Sequence, residues 1–230
     1  MIDSFSAGGF PVKVLYLDNH LLAVEKPPNM PAQADDSRDM DLLTACKKYV
    51  AEKLQKPGDA YLGLVHRLDR PAGGVMVFAR TSKAAARLTA AFAGHDVEKV
   101  YLAVARGDIR EPARLMDFLV KGADGMVRVT EPCAPGAKEA RLSFRPLNWS
   151  GELTLLEVSL ETGRPHQIRV QLATAGHPLW GDNRYGGGSP GQQLALWAHR
   201  LTIPHPTRPE RLTSTSEPPQ TGAWALIDHA

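Results

Sequence analysis

The densest concentration of reactive chemistry in this 230-residue chain is His66-Arg67-Leu68-Asp69-Arg70-Pro71-Ala72-Gly73-Gly74. If Arg67 to Asp69 is extended, those two side chains share a face. Asp69 then ends a strand beside a glycine turn, where backbone can approach a ligand closely. Flanking cations would offset its negative charge. The same residues also suit an aspartate in an ordinary turn with surface ion pairs, so the decision falls to the rest of the chain.

A second cluster is Thr162-Gly163-Arg164-Pro165-His166-Gln167-Ile168-Arg169. Pro165 suits the start of a helix, on which His166 and Arg169 are three apart and share a face. A helix start also offers backbone donors and partial positive charge to phosphate. A buried Arg169 needs a carboxylate, and Asp69 is the expected one; an exposed arginine on a capped surface helix is the other reading. The third feature is Tyr101. In Glu98-Lys99-Val100-Tyr101-Leu102-Ala103-Val104, alternation puts Val100, Leu102 and Val104 on one face and Tyr101 on the other with Lys99 and Ala103. A tyrosine there is available to stack on a base, or is an ordinary half-exposed strand residue.

Other chemistries find no support. No Gly-x-Gly-x-x-Gly follows a strand and no P-loop lysine motif exists. No Gly-x-Ser-x-Gly elbow appears. His66, His166, His177, His199 and His205 are scattered without zinc spacing. The expectation is therefore no cofactor and no metal. Cys46 and Cys133 stand far apart, so neither a metal pair nor a disulfide framework is expected, and a reducing cytoplasmic setting fits. No run of about eighteen apolar residues suggests a membrane span, and Met1 to Phe10 lacks the character of a secretory signal. The formal net charge of +2 is a weak pointer to an anionic partner, since many enzymes are mildly basic.

The elements that must position these residues read as follows. Val12 to Asp18 and Leu21 to Lys26 form a hairpin across Asn19-His20, stopped by Pro27-Pro28. Ser37 or Asp39 caps a helix carrying Leu42, Leu43, Cys46, Val50 and Leu54, ended by Pro57-Gly58. Tyr61 to Asp69 is strand-like, residues 70–74 turn, and Val75 to Ala79 is a strand. Ser82 caps an alanine-rich helix with Leu88 and Phe92, ending near Gly94. Strands follow over Glu98–Ala105, Leu142–Arg145 and Leu153–Leu160. A helix runs from Pro165 to Gly176, and a late strand from Leu194 to Ile203. Ala223 to Ile227 forms a last short strand or helix. Many strands with few intervening helices predict an α+β fold with a largely antiparallel sheet, in one domain without repeats or linkers.

In this order the three clusters resemble the RluA-type pseudouridine synthases. His66-Arg-Leu-Asp-Arg-Pro-Ala-Gly-Gly-Val-Met-Val-Phe-Ala79 is similar to the catalytic motif of that family. Lys99-Val-Tyr-Leu-Ala103 is similar to its stacking-tyrosine motif, and Thr162-Gly-Arg-Pro-His-Gln-Ile-Arg-Val170 to its arginine motif. His177-Pro-Leu-Trp-Gly-Asp182 with Tyr185-Gly186, Lys26-Pro27 and Leu196 to Pro206 match further landmarks. The resemblance runs from about Val12 to about Pro218. It departs at Pro-Ala-Gly-Gly after Asp69, where Pro-Thr-Ser-Gly is usual, at Pro165 in place of threonine, and at Trp197 where histidine is common.

The resemblance implies isomerisation of uridine to pseudouridine in ribosomal or transfer RNA, on a mixed α/β fold with a long, mostly antiparallel sheet and a central cleft. It implies Asp69 as the catalytic aspartate, Tyr101 as the residue stacking on the target uracil and Arg169 as the partner of Asp69. Arg67 matches a residue that helps displace the base. Arg70, Arg164 and His166 join Arg67 as candidate RNA contacts. No S4-type RNA-binding module is expected before the catalytic region, no obligate protein partner, and a monomer. A catalytically silent RNA-binding or chaperone protein on the same fold is the alternative; a nuclease lacks the metal-binding carboxylates it would need.

Overall fold

In the computed structural model of the chain, β1 (Ser4–Ala7), β2 (Phe10–Leu17) and β3 (Leu21–Lys26) form an antiparallel meander. The expected hairpin is its second half. Asp18 shapes the turn: its Oδ1 accepts hydrogen bonds from the backbone N–H groups of His20 and Leu21 at 2.7 and 2.8 Å, the local side-chain bonding that favours Asp in turns. Its other oxygen lies 2.9 Å from Nε2 of the buried His205. The structure describes residues 3–55, 58, 60–186 and 188–226.

These strands belong to the first of two compact units, Met1–Glu98 with Ala198–Glu217. Its strand order is β1-β2-β3-β5-β11, with β5 at Gly73–Ala79 and β11 at Leu196–Pro204. The two-residue β4 (Gly63–Leu64) joins β5, and β12 (Arg211–Thr215) joins β11, both antiparallel. Every residue of β5 is buried, as its unbroken apolar run demands. Val75, Val77 and Ala79 pack with Leu21 and Ala23 of β3 beneath Ala84 and Leu88 of α2 (Ser82–Ala93).

Both helix caps of this unit differ from expectation by a few residues. For α1 (Leu42–Lys53) the cap is Asp41, whose carboxylate accepts from Thr44 N at 2.9 Å. Ser37 and Asp39 are occupied in their own loop, where Ser37 Oγ donates to Asp35 and accepts from Asp39 N. For α2 the cap is Thr81, bonded to Ala84 N at 3.1 Å, and Ser82 is the first helical residue. In both cases the oxygen one position before the helix reaches the orphan N–H three residues on. The expected stop at Pro57 lies outside the described residues; Leu54 already ends α1.

The second unit is Lys99–Trp197 with Pro218–Ala230. Its strand order is β6-β10-β9-β7-β8, all antiparallel. These are β6 (Glu98–Arg106), β7 (Ala113–Lys121), β8 (Val127–Thr130), β9 (Lys138–Ser150) and β10 (Leu153–Leu160). The sequence pattern missed β7 and β8, which are half-exposed and mixed in polarity. One face of β6 and β10 packs Leu102, Val104, Leu153 and Leu155 against Ala195, Trp197, Ala223 and Trp224. Ala223 and Trp224 sit in a 3-10 helix, Gly222–Leu226, so the tail is helical where the sequence left the choice open. Trp197, at a position of departure from the family pattern, is core. No helix of the described residues is long and apolar enough to cross a membrane. The arrangement is the α+β, largely antiparallel one expected.

Gly74, in the motif turn, has φ +113, and a Cβ there would stand 2.3 Å from the carbonyl oxygen of Ala198. Two strands meet too closely for any side chain. Gly74→Ala is expected to cost about 3 kcal/mol through strain and overpacking, read as a lowered urea midpoint with an unchanged slope.

Candidate active site

The Asp69 turn leaves the short β4 and enters β5. The strand-like stretch expected from Tyr61 to Asp69 is regular only at Gly63–Leu64; residues 65–69 are irregular. Asp69 O accepts from Ala72 N at 3.0 Å, closing the turn. Leu68 and Ala72 are buried on either side, while Arg67 is exposed and Asp69 half-buried. His66 pins the approach: its Nε2 accepts from Val77 N at 3.0 Å, and its ring stacks on Phe92 with centroids 4.7 Å apart.

A buried lysine fixes the turn from below. Lys26, the last residue of β3, is fully buried. Its Nζ donates to the carbonyl oxygens of Pro27, Met30 and Arg70 at 2.9, 2.7 and 3.0 Å. Burial pushes its pKa down from 10.5 to about 7; the negative charge of Asp69 pulls it up and the positive charge of Arg70 pushes it down. An ammonium removed from water needs such acceptors. Here they join β3, the 27–30 loop and the residue after Asp69. The sequence showed Lys26-Pro27 only as a landmark; a lysine at the buried end of an apolar strand was the signal for its role.

Arg70 is a candidate RNA contact whose guanidinium is already engaged. Nε donates to Asn29 O at 3.0 Å, Nη1 lies 3.4 Å from Asp35, and Nη2 pairs with Asp39. These are exposed pairs, each worth about 0–1 kcal/mol, so exchange for a phosphate is inexpensive. Arg67, Asp69 and Arg70 thus share one turn of the first unit.

Tyr101, Arg164, His166 and Arg169 belong to the second unit. Tyr101 is half-buried on β6, opposite Val158 of β10. Arg169 is buried in α3 (Gln167–Thr174). Its Nε and Nη2 donate to Oδ2 and Oδ1 of Asp182, both at 2.8 Å, in a bidentate pair whose carboxylate is fully buried. The same carboxylate accepts from Arg184 N and Tyr185 N. Asp182, in the Trp-Gly-Asp stretch thirteen residues on, is therefore one carboxylate partner of the buried Arg169. Two parallel charge-assisted bonds also fix the plane of the guanidinium.

His166 is not on the helix face with Arg169. It is the residue before the helix, in the left-handed region at φ 52. The reason is Gln167, whose Oε1 accepts from Thr162 Oγ1 and Arg164 N while its Nε2 donates to Arg141 O. This locks a turn over residues 162–167 and delays the helix to Gln167, beyond the start suggested by Pro165. His166 and Arg169 still converge, on Tyr185. The Tyr185 hydroxyl lies 2.8 Å from His166 Nδ1, and the Arg169 guanidinium lies 5.2 Å from the ring centroid, within cation–π reach.

Residues 20–174 match the RNA pseudouridylate synthase family. The chain belongs to that family, whose enzymes are isomerases. It is 34% identical over 215 residues to a ribosomal large subunit pseudouridine synthase D of Nitrosomonas europaea, covering 88% of this chain and 61% of the relative. It is 31% identical to a tRNA pseudouridine synthase C of Vibrio cholerae, covering 85% of this chain and 86% of that one. The human RNA pseudouridylate synthase domain containing 4 shares the fold, with a TM-score of 0.74 at 23% identity over 90% of this chain and 88% of the other. The resemblance carried by the three sequence clusters is thus borne out at the level of family and fold. The chain spans about three fifths of the length of the Nitrosomonas relative.

Two outcomes are expected from this geometry. Asp182→Ala leaves the Arg169 guanidinium buried without its fork partner and should destabilise the protein by about 3–5 kcal/mol, measured by urea unfolding. Lys26 gives a pH signature. Its folded pKa, about 7, lies below the unfolded value of 10.5. Between those values the unfolded chain binds more protons, so this group makes stability rise with pH across that window. Unfolding free energies of wild type and Lys26→Met, compared from pH 6 to pH 10, should differ by an amount that shifts in favour of wild type as pH rises. A difference independent of pH would mean that Lys26 keeps its proton throughout.

Proposed function

We propose that this protein isomerises uridine to pseudouridine within ribosomal or transfer RNA, with Asp69 as its catalytic carboxylate. The observation that carries the reading is the Asp69 turn: one half-buried carboxylate in a segment tied down by Lys26, His66 and its own closing hydrogen bond, in a chain of the pseudouridylate synthase family. The names of the relatives support both RNA classes.

The reaction breaks the C1′–N1 bond, turns the uracil and joins C1′ to C5; C5 loses a proton and N1 gains one. It is redox-neutral and adds no atoms. The target base leaves its stack, at a cost of about a few kcal/mol. Arg67 and Arg70 fill the gap and hold phosphates, Arg70 by exchanging Asp35 and Asp39 for the backbone. Tyr101 stacks on the flipped base. Asp69 acts on the nucleotide at C1′, at uracil C6 or on the C2′ proton. Arg169, held in plane by Asp182, orients Asp69. One carboxylate suffices, because the base departs and returns in the same pocket. Arg164 and His166 complete the RNA contacts. The protein works in the cytoplasm as a monomer, needing neither cofactor nor metal.

Asp69→Asn is expected to fold and bind RNA while leaving uridine unconverted, read by nucleoside analysis and pseudouridine mapping of RNA treated with wild type and variant. Robust turnover by the variant removes Asp69 from this role. Equal cellular rescue by both proteins favours the silent RNA-binding alternative, and shortened RNA on a gel favours a hydrolase.

A further inference from the structure

The second unit contains two neighbouring cations whose hydrogen bonds go only to neutral oxygens. Lys99 lies on the Tyr101 face of β6, and the register sets it opposite Leu160, the last residue of β10. The chain leaving β10 brings the Thr162 carbonyl oxygen to 3.2 Å from Lys99 Nζ. Arg164, two residues on, donates from Nε to Glu139 O at 2.8 Å. Among the described residues neither is paired with a carboxylate, although Arg114, Arg128, Arg141, Arg145 and Arg169 in the same unit all are.

The residue between Thr162 and Arg164 is Gly163, which is exposed. A Cβ there would stand 3.4 Å from Lys99 Nζ, and a longer side chain would lie against the ammonium. Thr162 and Gln167, both buried, brace the turn from inside through Arg141 and Arg164. Burial, with the Arg164 charge beside it, lowers the Lys99 pKa to about 8. Two like charges held beside a braced turn, with no paired carboxylate among the described residues, are stabilised when an anion arrives.

We propose that Lys99 and Arg164, flanking the side-chain-free Gly163, form an anion seat that takes an RNA backbone phosphate next to the base stacked on Tyr101. The position relative to the base rests on the function proposed above; the seat itself rests on the two cations. Lys99 is thereby an RNA-binding residue that the motif pattern did not single out. It acts as a charge contact and takes no part in the bond changes.

The test is the salt dependence of binding of the full chain to a short oligouridylate. Each phosphate contact to single-stranded RNA contributes about 0.7 to the slope of log affinity against log salt concentration. Lys99→Met and Arg164→Met should each reduce the slope, and the double variant should reduce it by about 0.7 in all, the contribution of the one phosphate they share. Lys99→Arg should keep the wild-type slope. Folded single variants with an unchanged slope would overturn the seat and leave Lys99 as a prop for the Thr162 carbonyl. If Lys99→Met fails to fold, Arg164→Met and Lys99→Arg decide: an unchanged slope in the first, or a reduced slope in the second, rejects the proposal. Nucleoside analysis of RNA treated with wild type separates the two readings. Absence of pseudouridine there would overturn the isomerase reading, while the slopes would still decide the seat.

Discussion

The ammonium of Lys26 is sealed from water, and the protein solvates it with three carbonyl oxygens. Desolvation makes such a group costly wherever it is left short of acceptors. The acceptors are backbone groups from different places: the residue after the lysine, the loop that follows β3, and the residue after Asp69. Meeting the need of one buried charge therefore fixes the end of β3 relative to the turn that carries Asp69. The hydrogen bond within the turn and the His66 contacts then complete its shape. A loop that would otherwise be free to fray gains the precision of the sheet beside it.

The second unit follows the same logic with opposite means. Arg169 is buried and meets its charge with a carboxylate from Asp182, which in turn gathers two backbone N–H groups. Removing either partner would strand the other in a medium of low polarity, which makes the pair a strong positional constraint. Tyr185 lies against both His166 and Arg169, so the start of α3 and the 182–186 stretch are locked together. Lys99 and Arg164 stand in contrast. They are held by neutral oxygens, and what they lack in this unit is what an RNA backbone supplies.

The elements with a single strong period were legible in the sequence. The β2–β3 hairpin, the buried run of β5, the alternation of β6 and the two helices of the first unit needed only local patterning. The half-exposed strands β7 and β8 were not legible, because their burial is set by neighbours across the sheet. The caps moved from Ser37 or Asp39 to Asp41 and from Ser82 to Thr81, because several nearby oxygens compete and only the backbone geometry picks one. His166 left the helix face because Gln167 turned back to bind the 162–164 turn.

The sequence by itself determined the family and the α+β class, and it nominated a set of residues centred on Asp69, Tyr101 and Arg169. Motifs are short-range, and residue type at fixed spacing is enough to specify which groups are present. Only the tertiary structure decided how the charges are satisfied. Lys26 is bound by carbonyls, Arg70 by Asp35 and Asp39, and Arg169 by Asp182, while Lys99 and Arg164 face neutral oxygens. Electrostatic partnership acts through space and depends on burial, neither of which is written in the order of residues along the chain.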